Sequence, residues 1–360
     1  MRSLHIIGST QMGGADQFFV RLVTALNTAG HQALAVTRRG SPIAGALQGS
    51  AVEQIHLPLA NKWDLWSRWQ IARLARARDI DIVQTYMGRA TRLTHLPAGQ
   101  RPVHLARLGG YYKLDGYYRH AHGWIGNTRK LCDWLIGQGL PREQVYLIGN
   151  FVPEPAARDS AAGAQLRQRH GIPPQARVLF TLGRFISIKG FDDLLDAFAR
   201  LPAQLDGRPL HLVIGGDGEL REALLAQRSR LGLDTRVHFP GWLAAPGDWY
   251  HEAELMLCPS RHETLGNVIL EGWSYAKPVL ATTTPGASEL IRDGENGWLT
   301  AVAEVPALSG CLEKVLTLPA AERDAVAARG HAELLAHHGR DAVVRQYLEL
   351  YARLAAGRQA

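Results

Sequence analysis

The chain contains two successive series of short apolar segments, each separated by helix-like stretches. In the first half, the segments that read as strands are 4–8, 33–37, 80–86, 103–108, 122–126 and 144–148. In the second half they are 178–182, 210–215, 237–239, 255–258, 279–281 and 298–300. Strands that alternate with helices form parallel sheets with helices on both faces. The sequence therefore predicts an α/β protein of two Rossmann-like, doubly wound domains facing a cleft.

Length supports the same division, because 360 residues exceed the size at which a single core stops growing. The boundary is expected near 149–155, where Pro153 and Pro155 follow the last strand of the first series. We expect an N-terminal domain over residues 1–152 and a C-terminal domain over 153–339. A helical tail covers about 320–357, and its last part, about 340–360, is expected to pack on the first domain.

Cysteine usage and charge restrict the environment and the partners. Cys132, Cys258 and Cys311 show no metal-ligand or CxxC spacing, which favours free thiols in a reducing compartment. No signal peptide and no run of 18 apolar residues is seen. Residues 1–160 carry 19 Lys and Arg against 10 Asp and Glu, whereas the remainder carries 21 against 23. This asymmetry indicates an anionic partner for the first domain.

Two glutamates flank a predicted helix start in the second half. Glu263 lies in the turn after the strand 255–258, and Glu271 lies about one turn inside a helix that begins near Gly266-Asn267. Open α/β sheets bind ligands at such turns, and a helix N-terminus attracts phosphate. Carboxylates accept several hydrogen bonds from vicinal hydroxyls. The pattern favours a phosphorylated, hydroxyl-rich ligand, although two solvated glutamates are the alternative.

Two further turns in the second half carry cations and glycines. Arg184 and Lys189 follow the strand 178–182, where together they can clamp a diphosphate and stabilise the charge of a leaving pyrophosphate. Gly216 follows the strand 210–215 and would let the backbone approach a ligand closely. The alternative is a pair of surface cations and an ordinary turn.

In combination these motifs resemble a known enzyme family. The motifs are Gly13-Gly14-Ala15-Asp16, Gly183-Arg184 with Lys189-Gly190, Gly216-Asp217-Gly218, the segment 263–271, Pro285-Gly286-Ala287-Ser288-Glu289 and Gly294-Glu295-Asn296-Gly297. They are similar to those of the retaining glycosyltransferases of family 4, including enzymes of lipopolysaccharide-core and envelope glycan synthesis. The resemblance covers nearly the whole chain. It implies a GT-B architecture whose second domain binds a nucleotide-activated sugar and whose first domain receives the acceptor.

The resemblance also implies roles for individual residues. Arg184 and Lys189 would hold the diphosphate, Glu263 the donor sugar and Glu271 the ribose hydroxyls. Further donor contacts would come from Gly13, Gly14, Gly183, Gly216, Gly266, Asn267 and Val268. The nucleotide sugar is a substrate, so no cofactor and no catalytic metal are expected. Asp79-Ile80-Asp81 has the Asp-x-Asp form that binds metal in other glycosyltransferases, but it precedes its strand, at the edge opposite the ligand crevice.

The chain departs from the family pattern in the first domain. Many relatives have a histidine just after the strand that corresponds to 103–108, whereas here the sequence runs Arg107-Leu108-Gly109-Gly110-Tyr111-Tyr112. Arg107 or Tyr111 is expected to replace that contact. An aromatic cluster that begins with Tyr111 and Tyr112 is expected to bind the acceptor, since sugar rings stack on aromatic side chains.

A second candidate acceptor surface is a helix predicted over residues 63–78. Trp63, Ile71 and Leu74 would share one face. The other face would interleave cations and aromatics, namely Lys62, Trp66, Trp69, Arg73 and Arg76. Such a face suits a membrane interface with anionic lipid or glycolipid. The alternative is that these tryptophans pack in the core or between domains.

The sequence thus predicts a metal-independent, retaining hexosyltransferase that uses a nucleotide-diphosphate sugar, with UDP favoured as the nucleotide. The expected acceptor is an anionic glycolipid such as lipopolysaccharide core, at the cytoplasmic face of the inner membrane. One alternative is a transferase for a soluble glycoside or polysaccharide. Another is a basic nucleotide- or nucleic-acid-binding module without transferase activity. RNP, KH and zinc-finger signatures are absent, so no nucleic-acid partner is expected.

Overall fold

The computed structural model describes residues 1–99 and 101–357, which form two compact units. One unit contains Met1–Phe151 together with the described residues from His338 onward, and the other contains Val152–His337. The chain therefore builds most of the first unit, then the whole second unit, and finally returns to the first. The sequence places these boundaries after residues 152 and 339. Residues 358–360 of the expected C-terminal helix lie outside the described part of the chain.

The first unit is a parallel sheet with the strand order β3-β2-β1-β4-β5-β6-β7. Its strands are β1 (Arg2–Ile7), β2 (Gln32–Thr37), β3 (Gln54–His56), β4 (Ile82–Tyr86), β5 (Val103–Leu108), β6 (Gly123–Gly126) and β7 (Val145–Leu147). Its helices are α1 (Gly14–Thr28), α2 (Pro42–Ala46), α3 (Leu65–Ala77), α4 (Met87–Leu93) and α5 (Arg129–Gly137). The strand order reverses between β1 and β4, so the loops after these strands border the usual ligand crevice.

The second unit is also a doubly wound sheet, with the order β11-β10-β8-β12-β13-β14 and a short strand, β9, paired antiparallel to β10. Its strands are β8 (Arg177–Leu182), β9 (Gln204–Leu205), β10 (Arg208–Gly215), β11 (Val237–His238), β12 (Leu255–Cys258), β13 (Val279–Thr282) and β14 (Trp298–Thr300). Its helices are α6 (Ser160–Arg169), α7 (Phe191–Ala199), α8 (Arg221–Arg230), α9 (Gly247–Glu252), α10 (Asn267–Ser274), α11 (Ala287–Leu290), α12 (Val305–Thr317) and α13 (Ala320–Glu333). The reversal falls between β8 and β12.

The last helix, α14 (Arg340–Ala356), belongs to the first unit. Val343, Tyr347 and Tyr351 are buried in the same apolar cluster as Phe18 of α1. The Tyr351 hydroxyl donates to the side-chain oxygen of Gln84 on β4 at 2.6 Å. Apolar burial thus holds α14 on the sheet, and the buried polar bond fixes its register because an unpaired partner would be costly.

The twelve strands predicted from the sequence are all present, with each end within two residues of its expected position. The missed strands, β3 and β9, have three and two residues, and each begins with a glutamine and lacks a continuous apolar run. The predicted tail helix is wrong as a single element, because the extended backbone of Gly339 separates α13 from α14. None of the described helices is both long and apolar enough to cross a membrane.

Buried histidines in the first unit make a pH dependence of stability predictable. Burial lowers the pKa of His5 to about 3 and the pKa of His31 to about 4. Both ring Nε2 atoms lie within 2.9 Å of the Ser3 hydroxyl. The unfolded chain binds protons at these histidines near pH 6.5, whereas the folded chain does not. Their contribution is therefore fully present above pH 6.5 and is lost as the pH falls from 6.5 towards 4.

We expect the free energy of unfolding of this unit to fall by up to about 1.4 kcal/mol per pH unit for each such histidine. Urea titrations monitored by fluorescence at pH 7.5, 6.0 and 5.0 measure this slope. A flat profile between pH 7 and 5 would contradict the assignment.

Candidate active site

Apart from Gly13 and Gly14, the residues expected to bind the donor lie at the carboxyl edge of the second sheet, on both sides of its reversal point. The loop after β8 carries Arg184 and Lys189, and the loop after β12 carries Glu263. β8 and β12 are neighbours, with Leu255 paired to Leu179 and Met256 to Phe180. The parallel strands thus bring together residues more than 70 positions apart in the chain. This is the position at which doubly wound sheets bind ligands.

Lys189 and Glu263 form a direct ion pair. The side chains are about one-fifth exposed, 21 and 16 %, so the pair is shielded but reachable from solvent. Burial alone would lower the pKa of Lys189, but the neighbouring Glu263 carboxylate and its hydrogen bond raise it above the usual value. The lysine is therefore a fixed cation at neutral pH, and the carboxylate beside it is oriented as a hydrogen-bond acceptor.

Ser260 supports the Glu263 carboxylate. The Ser260 hydroxyl donates to Glu263 Oε1 at 3.0 Å, and the Ser260 carbonyl accepts from the hydroxyl of Thr282 on β13. Burial raises the pKa of the Cys258 thiol to about 11, so the thiol stays neutral and is no candidate nucleophile. The sequence reasoning missed Ser260, although its position directly after β12 was a signal that could have identified it.

Arg184 differs from Lys189 in having no side-chain partner among the residues that the structure describes. Its side chain is exposed, and no group within the described part of the chain forms a hydrogen bond or ion pair with the guanidinium. Its five donors are available to a ligand on the same loop as the paired lysine. This loop thus carries two cations: the planar guanidinium of Arg184, which can bind a ligand, and the ammonium group of Lys189, which its ion pair holds in place. This is the arrangement expected for binding a diphosphate.

Glycines bring the loops after β8 and β10 into contact. Gly216 has φ +135°, and a Cβ atom there would lie 1.9 Å from the Gly183 carbonyl oxygen. Gly218, which belongs to the same sequence motif, has φ +156°, and a Cβ atom there would meet the backbone of Phe185 at 2.7 Å. Only glycine fits these positions. The contacts hold the Arg184 loop against the β10 loop and leave a narrow backbone surface at the edge of the sheet.

The helix α10 begins at Asn267, close to the start near Gly266-Asn267 that the sequence predicted. Gly266 precedes the helix with φ +88°, Asn267 is the first helical residue and Val268 the second. Among the residues that the structure describes, no side chain caps this start. A helix start of this kind presents N–H groups and the positive end of the helix dipole. Gly13 and Gly14 have the corresponding position in the first unit, at the start of α1.

Glu271 lies in the middle of α10, and its carboxylate Oε2 accepts a hydrogen bond of 2.5 Å from the Tyr250 hydroxyl. Tyr250 is buried and its ring stacks on Tyr275, with centroids 4.6 Å apart. A rigid aromatic donor therefore fixes the rotamer of Glu271. The sequence offered no signal for Tyr250, because the bond depends on the packing of α9 against α10.

Arg261 connects the loop after β12 to the loop after β8 and to the start of α7. Its guanidinium donates to Asp192 and Asp193 in the first turn of α7, each at 2.7 Å, and to the Ser187 carbonyl at 2.8 Å. The loop that carries Glu263 is thereby fastened to the loop that carries Lys189. The guanidinium of Arg261 bonds to Ser187, Asp192 and Asp193 and not to Lys189 or Glu263, so we regard Arg261 as a positioning residue.

We predict that Arg261→Gln lowers kcat/KM for the sugar donor by about tenfold, because a small misplacement of catalytic groups is costly. Arg261→Lys should restore part of the loss. Arg292→Gln is a matched control, since Arg292 also bridges two carboxylates of this unit, at 2.9 and 3.0 Å. Steady-state kinetics together with thermal unfolding measure the effect. A loss that follows only the melting temperature would indicate a purely structural role.

The first-domain candidates are only partly accessible. Tyr111 and Tyr112 are 36 and 38 % exposed at the surface beyond β5. Arg107 is buried, donates to the Tyr347 hydroxyl at 2.9 Å and to Asn150, and lies over the ring of Phe18. Its guanidinium is directed to interior partners, so the expectation that Arg107 contacts the acceptor is not supported. The reason is that β5 is buried along its whole length and that Arg107 is directed towards Phe18 of α1 and Tyr347 of α14.

The Asp-x-Asp triplet has structural partners. Asp81 accepts from the backbone N–H of Arg2 at 2.9 Å and pairs with Arg101 at 2.7 Å, at the edge where β4 begins. Within residues 1–99 and 101–357, no three His, Cys, Asp or Glu side chains are placed to hold one metal ion.

Comparison with known proteins places the chain in a family. Residues 12–154 match the family described as Glycosyltransferase Family 4, and residues 176–317 match Glycosyl transferases group 1. The lipopolysaccharide core biosynthesis glycosyltransferase LpsE of Rhizobium meliloti (strain 1021) is 30% identical over 341 residues, which cover 94% of this chain and 96% of that protein. The chain is a family 4 glycosyltransferase.

Solved structures agree with this glycosyltransferase assignment at the level of the fold. A glycosyltransferase from Rickettsia africae ESF-5 superposes with a TM-score of 0.85 at 16% identity and covers 98% of both chains. Anabaena Alr3699/HepE in complex with UDP and glucose has a TM-score of 0.83 at 20% identity and covers 98% of this chain and 100% of its own. The predicted GT-B architecture is confirmed, and the alternative of a binding module without transferase activity is wrong.

Proposed function

We propose that this glycosyltransferase moves a hexose from a nucleotide-diphosphate sugar to a hydroxyl of an anionic glycolipid such as lipopolysaccharide core, with retention of configuration. The observation that carries the proposal is the Lys189–Glu263 pair at the reversal point of the second sheet, on the same loop as Arg184, which has no partner among residues 1–99 and 101–357. Two cations and one oriented carboxylate suit a ligand that has both a diphosphate and vicinal hydroxyls.

In this proposal the diphosphate binds to Arg184 and Lys189. Both cations would stabilise the charge that develops on the leaving diphosphate, an interaction stronger in the transition state than in the bound donor. Glu263 would accept hydrogen bonds from the sugar, and Glu271 from the ribose. The open start of α10 and the glycine backbone after β8 and β10 would complete the contact with the donor. The acceptor oxygen would bond to the anomeric carbon on the face from which the diphosphate departs.

No metal is needed for this scheme, because the protein's own cations can offset the charge of the diphosphate. Asp81, the best-placed carboxylate of the Asp-x-Asp triplet, is already paired with Arg101, and it lies at the start of β4 rather than at its carboxyl end. We therefore infer that transfer continues in EDTA. Loss of transfer in EDTA that is restored by Mg²⁺ or Mn²⁺ would overturn this part of the proposal.

The acceptor is proposed from the relative and from charge. LpsE is named for lipopolysaccharide core biosynthesis, and the alignment with it extends over nearly the full length of both chains. The basic first half suits an anionic acceptor, and Tyr111 and Tyr112 offer ring faces to sugar. A glycolipid acceptor places the enzyme at the cytoplasmic face of the inner membrane as a peripheral protein, with no nucleic-acid partner.

A donor panel tests the proposal. The enzyme is incubated with UDP-, GDP- and ADP-hexoses, with and without purified lipopolysaccharide core, and release of the nucleoside diphosphate is measured. UDP-glucose is tried first, because the Anabaena neighbour was solved with UDP and glucose. We expect release that depends on the glycolipid, and a product whose anomeric proton coupling by NMR matches that of the donor. No release from any donor, or inversion, would overturn the proposal; equal release with a soluble glycoside would replace the acceptor.

A further inference from the structure

Large apolar side chains are concentrated on the surface around the start of α3. Trp63, Leu65, Trp66 and Trp69 are 66, 72, 52 and 57 % exposed. Soluble proteins seldom expose contiguous apolar patches without a binding role. The sequence-based alternative, in which these tryptophans pack in the core, is wrong. The expectation that Trp63 shares a helix face with Ile71 and Leu74 is also wrong, because α3 begins only at Leu65.

The helix has two distinct faces. Ser67, Ile71 and Ala75 are buried at four-residue spacing. At 100° per residue, a second set lies within about 100° on the opposite side. This set is Leu65, Trp66, Trp69, Arg73 and Arg76. Together with Trp63 and Lys62 it forms what we name the α3 aromatic face. Apolar side chains gather at the first turn and cations at the later turns, so the surface is amphipathic in composition.

The α3 aromatic face is held in place by the fold. The Asp64 carboxylate accepts from the Ser67 N–H at 2.9 Å and from the Ser67 hydroxyl at 2.7 Å, which caps the helix. The backbone N–H of Trp63 donates to the side-chain oxygen of Asn61 at 2.7 Å, and the Arg92 guanidinium lies 4.6 Å from the Trp63 ring centroid. Trp66 and Trp69 therefore lie on a capped helix, and the ring of Trp63 is held by its contact with Arg92.

Charge identifies the partner. Residues 62–78 contain five cations, and their single carboxylate, Asp64, is engaged in the helix cap. A second copy of the chain would bring like charges together. A nucleic acid would use the aromatic rings but would leave Leu65, the most exposed of the four apolar side chains, in water. A bilayer offers both hydrocarbon and phosphate at the required depth.

We propose that the α3 aromatic face docks the enzyme on an anionic lipid bilayer. Trp63, Leu65, Trp66 and Trp69 enter the headgroup region, and Lys62, Arg73 and Arg76 meet lipid phosphates. The inference rests on the proposed function in one respect only, namely that a glycolipid acceptor lies in a lipid bilayer of this kind. It adds to that function the element that binds lipid and the class of lipid that it binds.

Vesicle sedimentation tests the proposal with the full chain. Binding is compared on phosphatidylcholine vesicles with and without phosphatidylglycerol. We expect the wild type to bind the anionic vesicles, and Trp66→Ser with Trp69→Ser to weaken that binding by at least about tenfold. Arg73→Gln with Arg76→Gln should weaken it by about fivefold for each arginine. The matched control is Trp242→Ser, since Trp242 of the second unit is 58 % exposed.

Three results would overturn the proposal. Equal binding to neutral and anionic vesicles would show that lipid charge does not contribute to docking. If Trp242→Ser weakens vesicle binding as much as the double tryptophan variant does, the α3 aromatic face is not the docking surface. Loss of a dimer in sedimentation velocity, or of RNA binding, with vesicle binding unchanged would assign the face to another partner. Donor turnover with a water-soluble acceptor fragment separates the two hypotheses, because the α3 variants should keep it even where vesicle binding is lost.

Discussion

Substitution of Lys189 by methionine is expected to lower kcat by about 10²- to 10³-fold, as for loss of one preorganised group that stabilises transition-state charge. The lysine is held at the reversal point of the second sheet by its pair with Glu263. Methionine keeps the length and the apolar contacts of the side chain but cannot interact with a departing diphosphate. The effect should appear in kcat and kcat/KM together, since the charge develops only in the transition state.

The measurement is single-turnover and steady-state release of nucleoside diphosphate. Lys314→Met, on the exposed surface of α12, is the control. Glu263→Gln and the double variant complete a cycle: each single change leaves one partly buried group without its partner, so the double variant should lose less activity and stability than the two singles added. A Lys189→Met enzyme that turns over within threefold of wild type would remove the lysine from the proposed site.

The sheets could be predicted from the sequence because their strands are continuous apolar runs, typical of parallel strands buried on both faces. The Glu263 and Glu271 positions followed from the same argument. A loop after β12 and a helix starting at Asn267 fix where both carboxylates stand along the chain. The strand pattern predicts at which edge of the sheet each loop lies. This was sufficient to predict that Arg184, Lys189 and Glu263 lie at the same edge.

The contacts between elements could not be predicted in the same way. Arg107 appeared accessible because it stands near the end of a strand, yet it is buried and bonded to Tyr347 from the far end of the chain. Tyr250 reaches Glu271 only through the packing of α9 on α10. Exposure of Trp66 and Trp69 depended on which side of α3 faces the sheet. In the structure the side that carries Ile71 and Ala75 is buried, so the two tryptophans are exposed.

Substitution of Glu271 by glutamine is expected to raise the KM for the sugar donor by about 10- to 100-fold and to leave kcat within about threefold. In the proposed site Glu271 binds the ribose hydroxyls, which are remote from the bond that breaks. Their hydrogen bonds to the carboxylate are equally strong in the ground state and in the transition state, so their loss weakens binding uniformly. Glutamine keeps the size of the side chain but removes the charge that strengthens these bonds.

Tyr250→Phe separates the charge of Glu271 from its orientation. This variant removes only the hydroxyl that donates to Glu271 Oε2 at 2.5 Å and leaves the stacking of the ring on Tyr275. It should raise the donor KM by less than Glu271→Gln does, and combining the two changes should add little, because both act on the same carboxylate. The decisive contrast is between Glu271→Gln and Lys189→Met. Glu271→Gln should alter the donor KM, whereas Lys189→Met should alter kcat. If Glu271→Gln instead lowers kcat with the donor KM unchanged, Glu271 contacts the reacting sugar, and the division of roles between Glu263 and Glu271 is reversed.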